Sequence, residues 1–395
     1  MDFNEAFLLF SNWMSSWQIV LAAYLVLFLI IYRHRKKFQF QSKIVMMLHT
    51  KIGLKLMHYL GDKHAKFFRV LGFVGIFVGY IGMVFMTGII LFGVYQLIFV
   101  PDAAPVVSPV LPGVSIPGSP ISVPFWSGMI ALFITIVVHE FGHGVISVAN
   151  KIKVKSSGFV MFGPIPGAFV EPDEKQLEKA TPSVKLAVFA AGPWFNALLA
   201  MFIFLLLLVI VNPLIGNATT EGVAFSSLLA GTPAANSSLE TDVVYKEVDG
   251  VTMVTYQTFF EYMQNTTPGQ VITFSNERNT VSVELGTHPQ NPDLGYLGVI
   301  PHQVTLKESL PGWLGIVLLW MYGLLGWIFI LSIGIGSANL LPLGPVDGGR
   351  MFEVALQKFF KKKLAGKIWS KTALILFIVI IVLVVIPIIK AVLFS

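Results

Sequence analysis

Long uncharged runs decide what this chain can be. Apolar stretches near or above about 18 residues, each enough to carry a helix across roughly 30 Å of hydrocarbon, recur along it. Six read as spans: residues 13–32, 70–100, 124–148, 184–211, 313–341 and 372–389. Of its 395 residues 55% are hydrophobic and only 12% charged, about half the usual charged share. The fold class is therefore a polytopic α-helical membrane protein of about six transmembrane helices. The run 70–100 is over-long: at about 1.5 Å per residue it measures some 46 Å, so it must tilt, kink at its glycines or project. Cysteine is absent, which excludes disulfides, thiolate metal sites and cysteine nucleophiles. Any metal here must use His, Asp or Glu.

The net charge of +6 would in a soluble chain suggest nucleic acid. Here the basic residues flank the spans, so they orient the chain and no nucleic-acid partner is expected. Residues 33–69 hold ten Lys and Arg, 151–185 six and 350–371 seven, against three in 212–312 and none in 1–12 or 101–121. The three basic segments are predicted cytoplasmic, with both termini and the long segment after residue 212 extracytoplasmic. Asn217, Asn236 and Asn265, each in an Asn-X-Ser/Thr triplet, lie in that outer segment.

The organisation follows. Residues 1–121 form an N-terminal membrane region with two spans, a basic amphipathic segment and a Pro-rich outer loop. Residues 122–212 and 312–350 are two halves of a membrane core, and 351–395 carry a basic segment and the last span. Residues 221–301 differ in kind, with strand-like alternation in VVYKEVDGVTM and NTVSVELG and a helix at YQTFFEYMQ. They read as a small β-rich soluble module, with turns at Val248–Gly250 and Pro268–Gly269. The stretch 101–124, with seven prolines, is expected to be an outer loop packed over the spans. Residues 44–60 read as a basic amphipathic helix lying on membrane lipid at the inner leaflet.

The third span carries HEFGH. A helical spacing of four puts His139 and His143 on one face, one turn apart, where both imidazoles can hold one ion. Zinc suits two neutral imidazoles, and a catalytic zinc takes three protein ligands and keeps a position for water. Glu140 is placed to accept the proton of that water, which is the chemistry of peptide hydrolysis. With 8 His in the chain, chance supplies such a pattern in roughly one chain in two hundred. At bilayer depth each ionisable group also costs about 2.5–3.5 kcal/mol on insertion scales. The third ligand should be an acidic or imidazole group in a later apolar segment. Asp347, in SANLLPLGPVDGGR, is the only acidic residue between Glu308 and Glu353. Pro342, Gly344 and Pro345 before it break any helix there, which a membrane tolerates only inside protein or beside a wet cavity. A rival use of the cluster is a membrane metal transporter or channel. A general base beside two imidazoles, and no second copy of any motif, favour hydrolysis.

These residues resemble the site-2 protease family of intramembrane zinc metalloproteases, in its prokaryotic, archaeal type. HEFGH at His139–His143, GPWFN at Gly192–Asn196 and NLLPLGPVDG from Asn339 to Gly348 stand in the family's order. The resemblance covers about residues 125–351. It implies one Zn2+ per chain bound by His139, His143 and Asp347, with Glu140 activating water. It places Asn196 and Asn339 near the metal, as donors to substrate or to a developing oxyanion. Substrates would be single-span membrane proteins or signal peptides, cut from a site that opens toward the cytoplasm. It also implies a membrane-associated β-hairpin at residues 158–174, whose edge can pair with an unwound substrate by strand addition. The outer module stands where many members carry a PDZ domain, and a PDZ-like fold is expected of it, as peptide binder or steric filter.

Overall fold

The computed structural model describes residues 17–33, 39–40, 45–100, 105–119, 121–162, 165–218, 222–229, 231–241, 243–253, 256–276, 279–289, 291–301 and 312–393. They fall into two compact units, residues 1–207 with 320–395, and residues 208–319.

In the first unit, helix α1 (Trp17–Arg33) precedes strands β1 (Gln39–Phe40) and β2 (Val45–Thr50) and helix α2 (Leu54–Lys63). Helices α3 (Ala65–Phe99) and α4 (Phe125–Ala149) follow, then strands β3 (Val154–Phe162) and β4 (Ile165–Pro172). Helices α5 (Glu174–Lys179) and α6 (Pro182–Leu206) complete the first half. Among the described residues, five helical stretches are long and apolar enough to cross a membrane: Ala65–Phe99, Phe125–Ala149, Pro182–Ile215, Trp313–Ala338 and Lys362–Leu393. Their outer flanks are apolar, with Ile81 70% and Val84 74% exposed, a surface suited to hydrocarbon rather than water. The first expected span falls on α1, which is not among these five; its 17 residues rise about 26 Å. Residues 13–16 of that expected span lie outside the described residues.

The over-long run forms one 35-residue helix, α3. Four of its glycines pack against other segments. A methyl group added at Gly72 would meet Ile146, at Gly75 Trp194, at Gly79 Met351 and at Gly82 Leu340. The missing side chains let α4, α6 and the later half of the chain approach α3 closely, as small residues do in membrane bundles.

The expected amphipathic helix over 44–60 is corrected by the structure. Its first part is β2, which pairs antiparallel with β3 from Val45 opposite Phe162 to Thr50 opposite Ser157. Only the second part is helical, as α2. A cross-strand partner more than a hundred residues away overrides local amphipathic pattern, since strand formation is decided by pairing. The expected hairpin is present as β3 and β4, paired from Val154 opposite Pro172 to Phe162 opposite Ile165. It is half of a four-stranded antiparallel sheet ordered β1-β2-β3-β4. Beyond it, Asp173 caps α5 by accepting from the Gln176 amide at 3.0 Å. That bond holds its carboxyl below the ordinary value.

The Pro-rich segment packs on helices of this unit. Gly113 donates to the Val123 carbonyl at 2.8 Å, Val106 lies against Gly93, and Gly118 lies against Pro387.

In the second unit, the described strands β5 (Phe225–Leu228) to β12 (Val299–Pro301) accompany helix α8 (Tyr256–Met263), the short helix α7 (Asn212–Ala218) coming before them. A four-stranded sheet runs β7 (Val251–Thr252), β6 (Glu247–Val248), β8 (Val271–Ser275), β9 (Thr280–Glu284). Val281 and Val283 of β9 point inward while their neighbours face out, the alternation a half-buried strand requires. Phe225, Tyr245, Phe259 and Phe274 fill the interior. The turn at Val248–Gly250 has φ of 49° at Asp249 and 74° at Gly250, the left-handed pair of a tight hairpin.

Helix α9 (Gly312–Ala338) leads to an irregular stretch, 339–346, and then to α10 (Asp347–Phe359) and α11 (Lys362–Leu393).

Candidate metal centre

Helix α4 presents His139, Glu140 and His143, and α6 packs directly against it. The approach is close because a methyl added at Gly142 would run into Phe195 and the Ala191 carbonyl. The third member of the cluster, an acid, arrives from far along the chain. The stretch 339–346 turns back so that the Gly348 amide donates to the Asn339 carbonyl at 2.7 Å. A side chain at Gly348 would strike the carbonyls of Leu340 and Leu341, and one at Gly349 that of Gly344. Only glycine fits there. Tyr80 donates to the Met351 carbonyl at 3.3 Å and Trp369 to the Gly349 carbonyl at 2.9 Å, anchoring the start of α10. Asp347, its first residue, is thereby fixed.

The result is a three-residue cluster. His139 Nε2 lies 3.0 Å and His143 Nε2 3.4 Å from Asp347 Oδ2, and the two Nε2 atoms are 3.3 Å apart. These donors lie within 4.8 Å of one another. Four donors arranged tetrahedrally at about 2.0–2.1 Å from zinc stand about 3.3 Å apart, so these separations fit a zinc ion. The donor set fits too, with borderline nitrogen ligands and one carboxylate.

The surroundings prepare both imidazoles. His143 Nδ1 is 2.7 Å from the Val188 carbonyl. A carbonyl only accepts, so Nδ1 carries the proton and the Nε2 lone pair faces the cluster. Asn196, fully buried, sets its amide 3.2 Å from His139 Nδ1. Its Oδ1 has no partner among the described residues. A half-turn of the amide brings that oxygen to His139 Nδ1–H and likewise leaves Nε2 for metal. A methyl added at Gly192 would overlap Nε2 of both histidines. Glu140 Oε2 accepts from the Val170 amide of β4 at 2.8 Å.

Four of the six residues singled out from sequence, His139, His143, Asp347 and Asn196, meet here. Glu140 lies beside them on α4. Asn339 is differently engaged, its amide donating to the Ile335 carbonyl one turn back at 3.0 Å. Sequence reasoning missed the Val188 carbonyl, the Val170 amide and the role of Gly192. The last was signalled by a Gly-Pro pair inside an apolar helix, where glycine is costly without a packing reason.

Residues 127–385 match the family model of Peptidase family M50. The uncharacterized protein MJ0971 of Methanocaldococcus jannaschii is 25% identical over 345 residues, covering 85% of this chain and 84% of its own. The zinc metalloprotease RasP of Oceanobacillus iheyensis is 23% identical over 246 residues, 50% of this chain and 56% of that one. The solved PDZ domain of the SdrC-like protein Lmo2051 from Listeria monocytogenes covers 21% of this chain and 90% of its own length, at 19% identity and a TM-score of 0.19. A family model spanning most of the chain, over the segment that builds the His-His-Asp cluster, settles the lineage: the chain belongs to peptidase family M50, the site-2 protease family of membrane metalloproteases.

Proposed function

We propose that the protein is a zinc-dependent intramembrane endopeptidase that hydrolyses peptide bonds within or near the membrane spans of other proteins. The observation that carries this reading is the convergence of His139 Nε2, His143 Nε2 and Asp347 Oδ2 at tetrahedral-edge spacing. Bound there, one zinc ion per chain would supply Lewis acidity, polarising the scissile carbonyl and lowering the pKa of water toward about 7. Glu140, next in sequence to a ligand, takes the proton of the attacking water and returns it to the leaving amine. Asn196 holds His139 in its metal-binding tautomer. Asn339 secures the turn that delivers Asp347.

Substrates are single-span membrane proteins or signal peptides. A helix must unwind before its peptide bond can be attacked, and β4 offers a place for the unwound segment. It is the outer strand of its sheet, and its Val170 amide points away from β3 toward Glu140. A substrate strand added along that edge runs past the general base. The basic segments 33–69, 151–185 and 350–371 support a mouth that opens to the cytoplasmic side. The module of residues 221–301, PDZ-like and extracytoplasmic, acts as a filter against substrates with large outer domains, so its deletion broadens the accepted set.

The deciding experiment is Glu140→Gln in the full chain. Zinc should stay bound while cleavage of a single-span substrate vanishes. Cleavage that persists, or metal flux that survives the change, would overturn the proposal.

A further inference from the structure

A cavity opens beside Glu140, and its occupant can be read from its walls. It has a volume of about 310 Å³, ample for an aromatic ring. Helix α4 lines it with Phe133, Val137 and Phe141, spaced by four, so one face of the helix carries these together with Glu140. The hairpin closes a second side with Phe159 and Phe169. Phe159 stacks on Phe133 with ring centroids 6.1 Å apart.

The third wall comes from outside the region that matches the family. Ile52, Gly53 and Met57, from the turn after β2 and from α2, complete the cavity. This wall is fastened. Thr50 Oγ1 donates to the Ser157 carbonyl at 3.0 Å, and Ser157 Oγ donates to the Ile52 carbonyl at 2.5 Å. The two hydroxyls are thus spent on holding the turn, and the lining they leave is largely apolar apart from Glu140. Gly53 adopts φ of 79°, a conformation glycine takes without strain. Met57 then drops its sulfur against Gly144 of α4.

On the reading proposed above, we infer that this pocket is a substrate side-chain subsite that selects a large apolar or aromatic residue flanking the scissile bond. Glu140 and Val170 both line it, so the general base and the free edge of β4 border the same space. A segment paired along β4 sends alternate side chains toward one face of the sheet, and beside Glu140 that face opens on this pocket. An apolar cavity next to one carboxylate favours a neutral, apolar side chain. Because Ile52, Gly53 and Met57 lie outside the matched region, the selectivity belongs to this chain's N-terminal extension as much as to the family core.

The test uses the full-length, zinc-loaded chain in membranes. Its substrates are single-span polypeptides in which each residue flanking the cut is changed among Phe, Leu, Ala and Asp. The wild type should prefer Phe or Leu over Ala at one position by at least about 10-fold in kcat/KM. Val137→Trp, filling the cavity from α4, and Ile52→Trp, filling it from the N-terminal turn, should each reduce that ratio about 10-fold or more, with zinc per chain unchanged. A ratio near one at every position in the wild type, or one untouched by both variants, would sink the subsite. So would a lipid that co-purifies with the wild type and is lost from Val137→Trp while the ratio stays constant, since the pocket would then hold an acyl chain. Absence of any cleavage by the zinc-loaded wild type would instead remove the proposed function itself.

Discussion

His143 and Val188 are joined across two membrane helices: the imidazole Nδ1 donates to the main-chain carbonyl at 2.7 Å. The bond ties a residue of the HEFGH segment to α6 and chooses which ring nitrogen remains free for a metal. It requires α4 and α6 to run close together, which Gly142 and Gly192 permit. The tightness of that approach makes the site sensitive to single methyl groups.

Gly192→Ala should test this directly. The new methyl group overlaps both Nε2 atoms, so the ligands must part. Zinc affinity, measured by chelator competition, should fall at least about 10-fold, by analogy with the loss of partners that orient metal ligands. Thermal unfolding of the metal-free protein should change little, because alanine is favoured over glycine in a helix by about 1 kcal/mol.

Asn196→Ala removes the group that orients His139. The expected outcome is about 10- to 100-fold weaker zinc binding. Asn196→Asp restores an acceptor opposite Nδ1 and should recover most of that loss. If Asn196→Ala binds zinc as tightly as the wild type, the amide does not orient the ligand.

Strand addition makes a different prediction. Val170 directs its amide to the outer edge of β4, where Glu140 accepts it, and strand alternation puts the Ala168 amide on the same edge. Ala168→Pro deletes that donor without breaking the ladder to β3. Cleavage of a membrane substrate should drop about 10-fold or more, at about 1.4 kcal/mol per tenfold for a lost hydrogen bond, with zinc content unchanged. Undiminished cleavage would exclude pairing at this edge.

The outer module carries a pH signature. Tyr262 donates to Asp249 Oδ2 at 2.5 Å, and the Thr273 amide reaches Oδ1 of the same carboxylate at 2.6 Å, clasping α8 and β8 to the turn at Asp249. Burial, reinforced by that carboxylate, pushes the Tyr262 phenol from 10.0 up to about 12. Between those values the unfolded chain has lost the proton that the folded module still holds, so stability falls as pH rises from about 10 to about 12. It is unaffected by this group at neutral pH. Unfolding followed against pH should show a shallower fall in Tyr262→Phe than in the wild type.

Much of the site was legible because its chemistry is local or compositional. HEFGH needs only helical periodicity to bring two imidazoles together, and Asp347 stood out as a lone acid in an apolar context. The β-rich module announced itself through alternation and turn residues. The misreading at residues 44–60 came from the same kind of reasoning. VMMLHT pairs with a strand that begins more than a hundred residues later, and no local pattern encodes that partner. The role of the glycines of α3 was open for a similar reason, since what a missing side chain makes room for depends on which helix lies opposite.

A membrane chain with a His-Glu-His helix and a distant carboxylate can be read from the residues alone, because hydrophobicity, helical period and ligand chemistry are properties of residues and their spacing. That Val188 and Asn196 flank the two imidazoles, that the Val170 amide reaches Glu140, and that the N-terminal turn walls the pocket beside it came from the packed chain. These are contacts between backbone groups and chain segments remote in sequence, and they exist only once the helices have packed.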